Sequence, residues 1–515
     1  MTYSFNLIDR PWIPCVQKDG RVTELSLHET LEKAHELRGL QGDSPLETAA
    51  MYRLLLAVIH SALCGPANTE KWSKLWDAKQ WDMKIFDKYL KERHSGFDLF
   101  DKERPFYQVK NNKDGRQKTS NDVLPDVASG ANATLFSHSI DENNIILTAA
   151  KAARTLLVMQ TFSVAGGWGM APKESSDAPW GRGIIFLVED DSLFGILMLN
   201  LLKYPDKDAM PSRDEDKPAW EMNDPFKPKR DQPIGYLDYL TWQNRRVSLI
   251  PEGDEENPVV KEMVISQGLK LDTLVLDPMK HYWVNKKDGY TSNRFAEEKV
   301  LWRDSSALFR VHNPTTARPP YIFSWLANLV DDDKIDKHRK YRFMALGMAT
   351  KGDAKIGFYR HENFPFPLEY LQEEKLLNDL SDALVLAEET SRSLTFAGKV
   401  MAFMIVSKNS GEKPINKIPN GHPAHDLYEH WGTDRFFWSK LETPFNVFIQ
   451  TLPNDSSAMD RWKETLKQTA KDAFSSAEKM AGESTTALKA AVKASGVLRG
   501  KLKGLFSETQ KETVT

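Results

Sequence analysis

Residues 364–368 read Phe-Pro-Phe-Pro-Leu. Proline fixes φ near −65°, lacks an amide hydrogen and pushes the residue before it toward extended backbone. Prolines at 365 and 367 therefore bar a helix and impose an extended stretch. The sequence changes character across it. Beyond it, Leu377, Leu380, Leu384, Ala387, Leu394 and Met401 recur every three to four residues, as do Trp462, Leu466, Ala470, Ala473, Ala477 and Met480. Leu488, Val492, Ser495, Leu498 and Leu502 suggest a last helix, and a further one falls at 426–451. Four amphipathic helices pack most simply as a four-helix bundle.

Before the prolines the pattern is mixed. Residues 45–64 form one strong apolar helix opened by Pro45 and closed by Gly65-Pro66. Residues 184–188 (IIFLV), 247–251 (VSLIP) and 271–277 (LDTLVLD) read as strands, and 193–202 as a core helix. The Pro-, Asp- and Lys-rich stretch 205–233 reads as a surface loop. No regular βαβ rhythm appears. The expected fold class is α+β: a large irregular mixed α/β domain over 1–366, then a four-helix bundle over 367–515.

With a net charge of only −3 over 515 residues, any nucleic-acid surface must be a local patch. Two cysteines, Cys15 and Cys64, exclude a disulfide framework and a cysteine zinc site, and fit a reducing compartment. The start MTYSFNLIDRPWIP lacks the apolar run of a signal peptide, and no apolar stretch reaches ~18 residues. A cytoplasmic protein without a membrane partner is expected.

Residues 163–173 read SVAGGWGMAPK, placing Gly166, Gly167 and Gly169 around Trp168. Glycine serves where φ is positive or where another molecule approaches the main chain. Neither GxxxxGK[ST] nor GxGxxG is present, so this is not a phosphate loop of a known kind. From 484 to 503 there are five cations (Lys489, Lys493, Arg499, Lys501, Lys503) and no acid. They suit either a solvated helix face or a phosphate-tracking stripe. Residues 102–118 combine six cations with Phe106 and Tyr107, which suits single-stranded nucleic acid or a loop tucked onto a core. His422, His425 and His430 cluster with Asp426 and Glu429, and an HD pair can open a metal-dependent phosphohydrolase site. The further ligands on other helices that such a site needs are not evident. No nucleophile–base set stands out.

In order along the chain, several segments resemble those of one family. LIDRPWIP (7–14), RPFYQ (104–108), GANATLF (130–136), SVAGGWGMAPK and IGYLDYLTWQNRRVSL (234–249) look like pieces of CasA, the large subunit of the type I-E CRISPR surveillance complex Cascade. The resemblance spans nearly the whole chain. It implies a non-catalytic subunit without metal or cofactor that reads the protospacer-adjacent motif (PAM) of double-stranded DNA from the minor groove. The glycine loop would lie against the groove edge (Gly166, Gly167, Gly169), and a lysine finger, Lys299 in FAEEKV, would enter it. Phe136 and His138 match a loop near the motif or the guide end. Lys351, Gly352, Asp353, Ala354 and Lys355 match a hairpin that wedges the duplex open for R-loop formation; they carry none of the amide side chains of the best-known pattern. Separately from the resemblance, tryptophan usually buries most of its ring, so Trp168 is expected to anchor its loop in the core.

The implied partners are target DNA and its displaced strand, CRISPR RNA held through other Cascade subunits, the backbone and small subunits, and a recruited nuclease-helicase. Lys489, Lys493, Arg499, Lys501 and Lys503 are the bundle's candidate DNA contacts. Two other readings stay open: an HD-type phosphohydrolase using His425 and Asp426, and a scaffold whose glycine loop is only a turn.

Overall fold

The computed structural model describes residues 2–124, 145–167, 175–205, 212–271, 274–285, 289–295, 300–312, 316–351, 355–407 and 422–508, with the side chains of 350–358 and 508 excepted. The chain divides into two compact units: Met1–Lys299 with Val311–Phe364, and Val300–Arg310 with Pro365–Thr515.

The first unit is built around two buried helices, Pro45–Leu63 and Ala149–Phe162, packed on each other. Pro45 sits at the first turn, the Ser44 hydroxyl accepts the Glu47 amide, and Cys64 takes a left-handed conformation at the end. The first helix has the length and apolarity of a bilayer span, yet it carries Glu47 and Arg53 and most of it is buried in the fold. It is a core helix. Glu47 accepts from Lys151 of its neighbour and forms an ion pair with Arg154.

Among the described residues, four small sheets accompany this pair. Pro258–Gln267 is the hub of one, pairing with Arg245–Gly253, Arg116–Thr119 and Leu147–Thr148. Another joins Ile185–Glu189, Tyr341–Lys351 and Lys355–Phe366, with Tyr341–Lys351 in the middle. Its register sets Arg342 opposite Glu189 and Leu346 opposite Ile185, antiparallel. The remaining two are three-stranded. The stretch 274–277, read from sequence as part of a strand, is none. Asp277 turns the chain there instead, its carboxylate accepting the Met279 amide at 2.7 Å. Of the apolar residues in this segment, Leu274 is exposed and Val275 and Leu276 are half-buried.

In the second unit the 33-residue helix Glu374–Val406 packs against Thr433–Thr451, Ala458–Ala481 and Thr485–Glu508, with the short helix Pro423–Trp431 beside it. Leu377, Leu380, Leu384, Ala387, Leu394 and Met401 are all buried. Val300–Arg310, which sequence alone leaves with the first domain, belongs here. Trp302 stacks on Phe445 at 4.3 Å, and Arg303 pairs with Glu388 at 2.6 Å. The double-proline stretch is extended, as proline demands, but it is the end of a strand with Phe364 and Phe366 both buried.

The last helix departs from its sequence reading in its first half, while Leu498 and Leu502 are buried as expected. Leu488 and Val492 are 54% and 76% exposed, and Met480 of the preceding helix is 48% exposed. The buried stripe is Ala487, Ala490, Ala494, Leu498, Leu502 and Phe506. Alanines let this helix approach Glu374–Val406 more closely than leucine or valine would.

Candidate nucleic-acid interface

The Ala149–Phe162 helix ends at Ser163, whose backbone turns to ψ 140°. Gly166 follows at φ +77°, a conformation that favours glycine. A Cβ on Gly167 would lie 3.1 Å from the Val164 carbonyl. The chain returns at Ser175, and the two limbs are tied together as a neck. Ser163 O accepts the Ala178 amide at 2.7 Å, the Asp177 carboxylate accepts the Ala165 amide at 2.8 Å, and Ser175 Oγ accepts the Gly166 amide at 2.7 Å. Gly181 must be glycine, since its Cβ would fall 2.3 Å from Ser163 O.

Arg245 closes the neck from below. It is fully buried, and its guanidinium donates to Val164 O on one limb and Ser176 O on the other, both at 3.1 Å, as well as to Gln267 Oε1. Gln160 fixes Arg245 in turn, accepting its amide at 2.9 Å and donating to its carbonyl at 2.8 Å. Asn244 donates to Ser176 Oγ and Asp177 O. The WQNRR segment is thus the seat of the glycine loop. Burial pulls the Arg245 guanidinium down to about 10, with Asp177 opposing the shift.

A second buried layer lies beside the neck. Trp180 Nε1 and Tyr239 OH both donate to Asp277 Oδ2, at 2.7 and 2.6 Å. Arg53 stands over the Trp180 and Tyr239 rings. Lys280 donates to Pro179 O at 2.6 Å, and burial lowers its ammonium to about 8, with Asp277 acting against the shift.

Two other segments reach the same end of the Ile185–Glu189 sheet. Following Tyr341–Lys351 from Arg342 to Leu346 runs from Glu189 back to Ile185. At Gly347 a Cβ would meet Gly183 O at 2.6 Å. The strand continues to Lys351, about 13 Å farther at ~3.3 Å per residue. The hairpin therefore projects from the sheet end where the loop neck emerges. The Asn293 carbonyl accepts the Ile184 amide at 2.9 Å, and Phe295 lies 5.4 Å beneath the Arg360 guanidinium. Phe295 precedes Lys299 by four residues.

Of the residues singled out from sequence, Gly166 and Gly167 form the described limb of the loop, and Lys351 and Lys355 end and begin the hairpin strands. Phe136, His138, Trp168, Gly169, Lys299, Gly352, Asp353 and Ala354 lie outside the described residues. Lys489, Lys493, Arg499 and Lys503 are exposed on the solvent side of Thr485–Glu508. Gly496, Gly500 and Gly504 lie among them, each with open space where a Cβ would stand. Lys501 points elsewhere, its ammonium 4.5 Å over the Phe396 ring of Glu374–Val406.

The aromatics of the 102–118 run are core residues: Phe106 and Tyr107 are buried and stacked on each other at 4.4 Å. The histidine cluster caps a helix. His422 Nδ1 accepts the Ala424 amide and its ring stacks on Phe403, while His425 lies 4.0 Å from Glu429. Among the described residues no group of three His, Cys, Asp or Glu is arranged to hold a metal. The residues sequence reading missed are Asp177, Arg182 and Arg245. Arg245 was visible in WQNRR, but nothing local reveals that its side chain turns inward.

A family model described as CRISPR-associated protein Cse1 matches residues 6–473. The CasA/Cse1 protein of Thermus thermophilus is 32% identical over 505 residues, covering 94% of this chain and 95% of that protein. A crystal structure of CasA from Thermus thermophilus matches with a TM-score of 0.80 at 28% identity, covering 97% of this chain and 99% of that one. A chain from a structure described as a CRISPR RNA-guided surveillance complex shares the fold at 19% identity, with a TM-score of 0.74 and coverage of 96% and 99%.

Proposed function

Because this chain belongs to the CRISPR-associated Cse1 (CasA) family, we propose that it is the non-catalytic large subunit of an RNA-guided surveillance complex that reads the PAM in duplex DNA and starts strand separation. The observation that carries this reading is a convergence. The neck of the glycine loop, the stem of the Tyr341–Phe366 hairpin and the stretch leading into Lys299 meet at one end of one sheet.

The physics of a groove reader fits these parts. A minor groove about 6 Å wide excludes bulky side chains but admits glycine backbone, so Gly166, Gly167 and Gly169 meet the base-pair edge. Its donor and acceptor pattern is degenerate, so several related motifs are accepted. Lys299 supplies a long flexible point charge that reaches acceptors in the groove. The hairpin tip at 352–354, flanked by Lys351 and Lys355, wedges beside the motif, and guide RNA replaces the lost pairs in a nearly balanced exchange. Phe136 and His138 contact the motif region or the guide end.

The helical unit offers Lys489, Lys493, Arg499 and Lys503 to the displaced strand or the duplex, and a docking surface to the nuclease-helicase. Lys501 is the weakest of the five, being engaged with Phe396. The guide RNA is held through the other subunits.

Lys299→Ala tests this. A groove contact is worth ~1–3 kcal/mol, so binding of PAM-bearing duplex weakens about 5- to 150-fold while complex assembly survives. Unchanged binding returns the loop to a structural turn and the chain to a scaffold. A nuclease assay on the purified chain with Mn²⁺ or Ni²⁺ is expected to show no cleavage.

A further inference from the structure

Gly181, Arg182 and Gly183 lie against the limb of the glycine loop, the stretch leading to Lys299 and the foot of the hairpin. Toward the loop, a Cβ on Gly181 would fall 2.3 Å from Ser163 O. Arg182 Nε donates to Asp177 Oδ2 at 2.6 Å, and Asp177 Oδ1 accepts the Ala165 amide of the loop limb at 2.8 Å. Toward Lys299, a Cβ on Gly183 would lie 3.1 Å from Ser292 Cβ, and the next residue, Ile184, donates its amide to Asn293 O at 2.9 Å. Toward the hairpin, a Cβ on Gly347 would meet Gly183 O at 2.6 Å. Gly347 follows Leu346, which pairs with Ile185, so it stands where the hairpin strand leaves that pairing.

The contacts of Gly181 with Ser163 O and of Gly347 with Gly183 O set main chain against main chain. A side chain at such a place absorbs a displacement by changing rotamer. Packed main chain has no such freedom, and close-packed interiors transmit strain. Gly181, Gly183 and Gly347 are all buried, and Gly183 stands at φ +96°, in the region that favours glycine. A shift at the hairpin foot therefore passes through residues 181–183 to the loop limb, and a shift of the limb passes back.

We propose that Gly181-Arg182-Gly183 is a positioning joint that sets the glycine loop and the hairpin in one register, coupling PAM seating to duplex opening. This rests on the groove-reading role above and adds its regulation. A ligand shifts a conformation only by interacting differently with its two states. Groove contact at the loop favours one setting of the joint, and that setting holds the hairpin where the strands part. The joint acts through these two segments rather than on DNA.

The experiment uses the assembled guide-RNA complex with PAM-bearing and PAM-scrambled duplexes, either fully paired or mismatched beside the motif. A fluorescent adenine analogue beside the motif reports opening. Gly347→Ala alters the hairpin side, since its methyl displaces Gly183 O. On the mismatched duplexes no wedge is needed. There it is expected to lower the preference for PAM-bearing DNA roughly 2- to 30-fold, the range for substitutions acting on coupling between sites, with scrambled binding unchanged. An unchanged preference overturns the proposal. So does an equal loss on both duplexes, which means general damage.

Asp177→Asn alters the loop side and decides the matter if Gly347→Ala fails to assemble. Its Oδ1 still accepts the Ala165 amide, but its amide nitrogen cannot accept from Arg182. With the complex saturating, it is expected to slow opening of the fully paired PAM-bearing duplex by a similar factor. Opening at the wild-type rate overturns the proposal. A wild-type complex without PAM preference sinks the groove-reading role itself, whereas a wild-type preference that neither variant alters sinks the joint alone.

Discussion

The two units bury charge in opposite ways. In the first, Arg245, Asp277, Lys280 and Arg53 all lie in the interior around one irregular loop. In the second, Glu369 is the one charged side chain in the described core, and the helices meet through leucine, alanine and aromatic rings. The difference follows from where main-chain groups find partners. Helices satisfy their own carbonyls, so apolar stripes suffice to pack them. The limbs of the glycine loop have no ladder to join, so the Ser176 carbonyl takes a buried donor from Arg245, which also adds to the Gly167 amide on Val164 O. The two described limbs are thereby tied to one another and to the buried layer beneath them.

Arg245→Met presses hardest on this contrast. It removes the guanidinium donor from Ser176 O, one of two donors from Val164 O and the partner of Gln267, and is expected to cost about 3–5 kcal/mol in urea unfolding, as for a broken buried charged contact. Arg499→Met on the exposed helix face should stay within about 0.5 kcal/mol. Equal costs at the two sites would erase the distinction.

Lys280 sharpens it next. Its ammonium falls from the ordinary 10.5 to about 8 because of burial. Between those values the unfolded chain holds more protons than the folded one, so stability rises with pH. The penalty is fully present below about pH 8 and gone above about 10.5. Relative to Lys280→Met, wild type should gain on the order of 3 kcal/mol across that window. A flat difference curve would show that the ammonium is not buried in this way.

In the helical unit, Ala490→Leu should cost about 1–3 kcal/mol by overfilling the contact with Glu374–Val406, while Val492→Ala, although it removes a larger apolar group, should be nearly neutral. The reverse ranking would restore the helix rotation suggested by the large apolar residues. Gly166→Ala should cost about 1 kcal/mol in stability from the positive φ. Its larger effect is expected in the ratio of binding to PAM-bearing over scrambled duplex.

Where periodicity carried the signal, the helices were legible: the Leu377–Met401 stripe is buried throughout. The last helix was legible, with Leu498 and Leu502 buried, but its first half was read from Leu488 and Val492, whereas the packing there follows Ala487, Ala490 and Ala494. Val300–Arg310 was assigned to the wrong side of the prolines, since a short segment with one key tryptophan has no period to read. At the site, the glycines announced an unusual backbone, but nothing near them in sequence points to Asp177 or Arg245 as its support. Phe106 and Tyr107, suggestive among their cations, are simply core.

The order of elements, the break at the double proline, the helical C-terminal half and the family of the chain are properties of the linear sequence, because propensity, period and motif order act over a few residues at a time. Which helix face turns inward, which arginine is buried and which is left facing solvent were decided only in three dimensions. Those outcomes depend on charges and carbonyls brought together from residues 53, 164, 177, 245 and 280, and no local pattern can encode a balance struck among such distant groups.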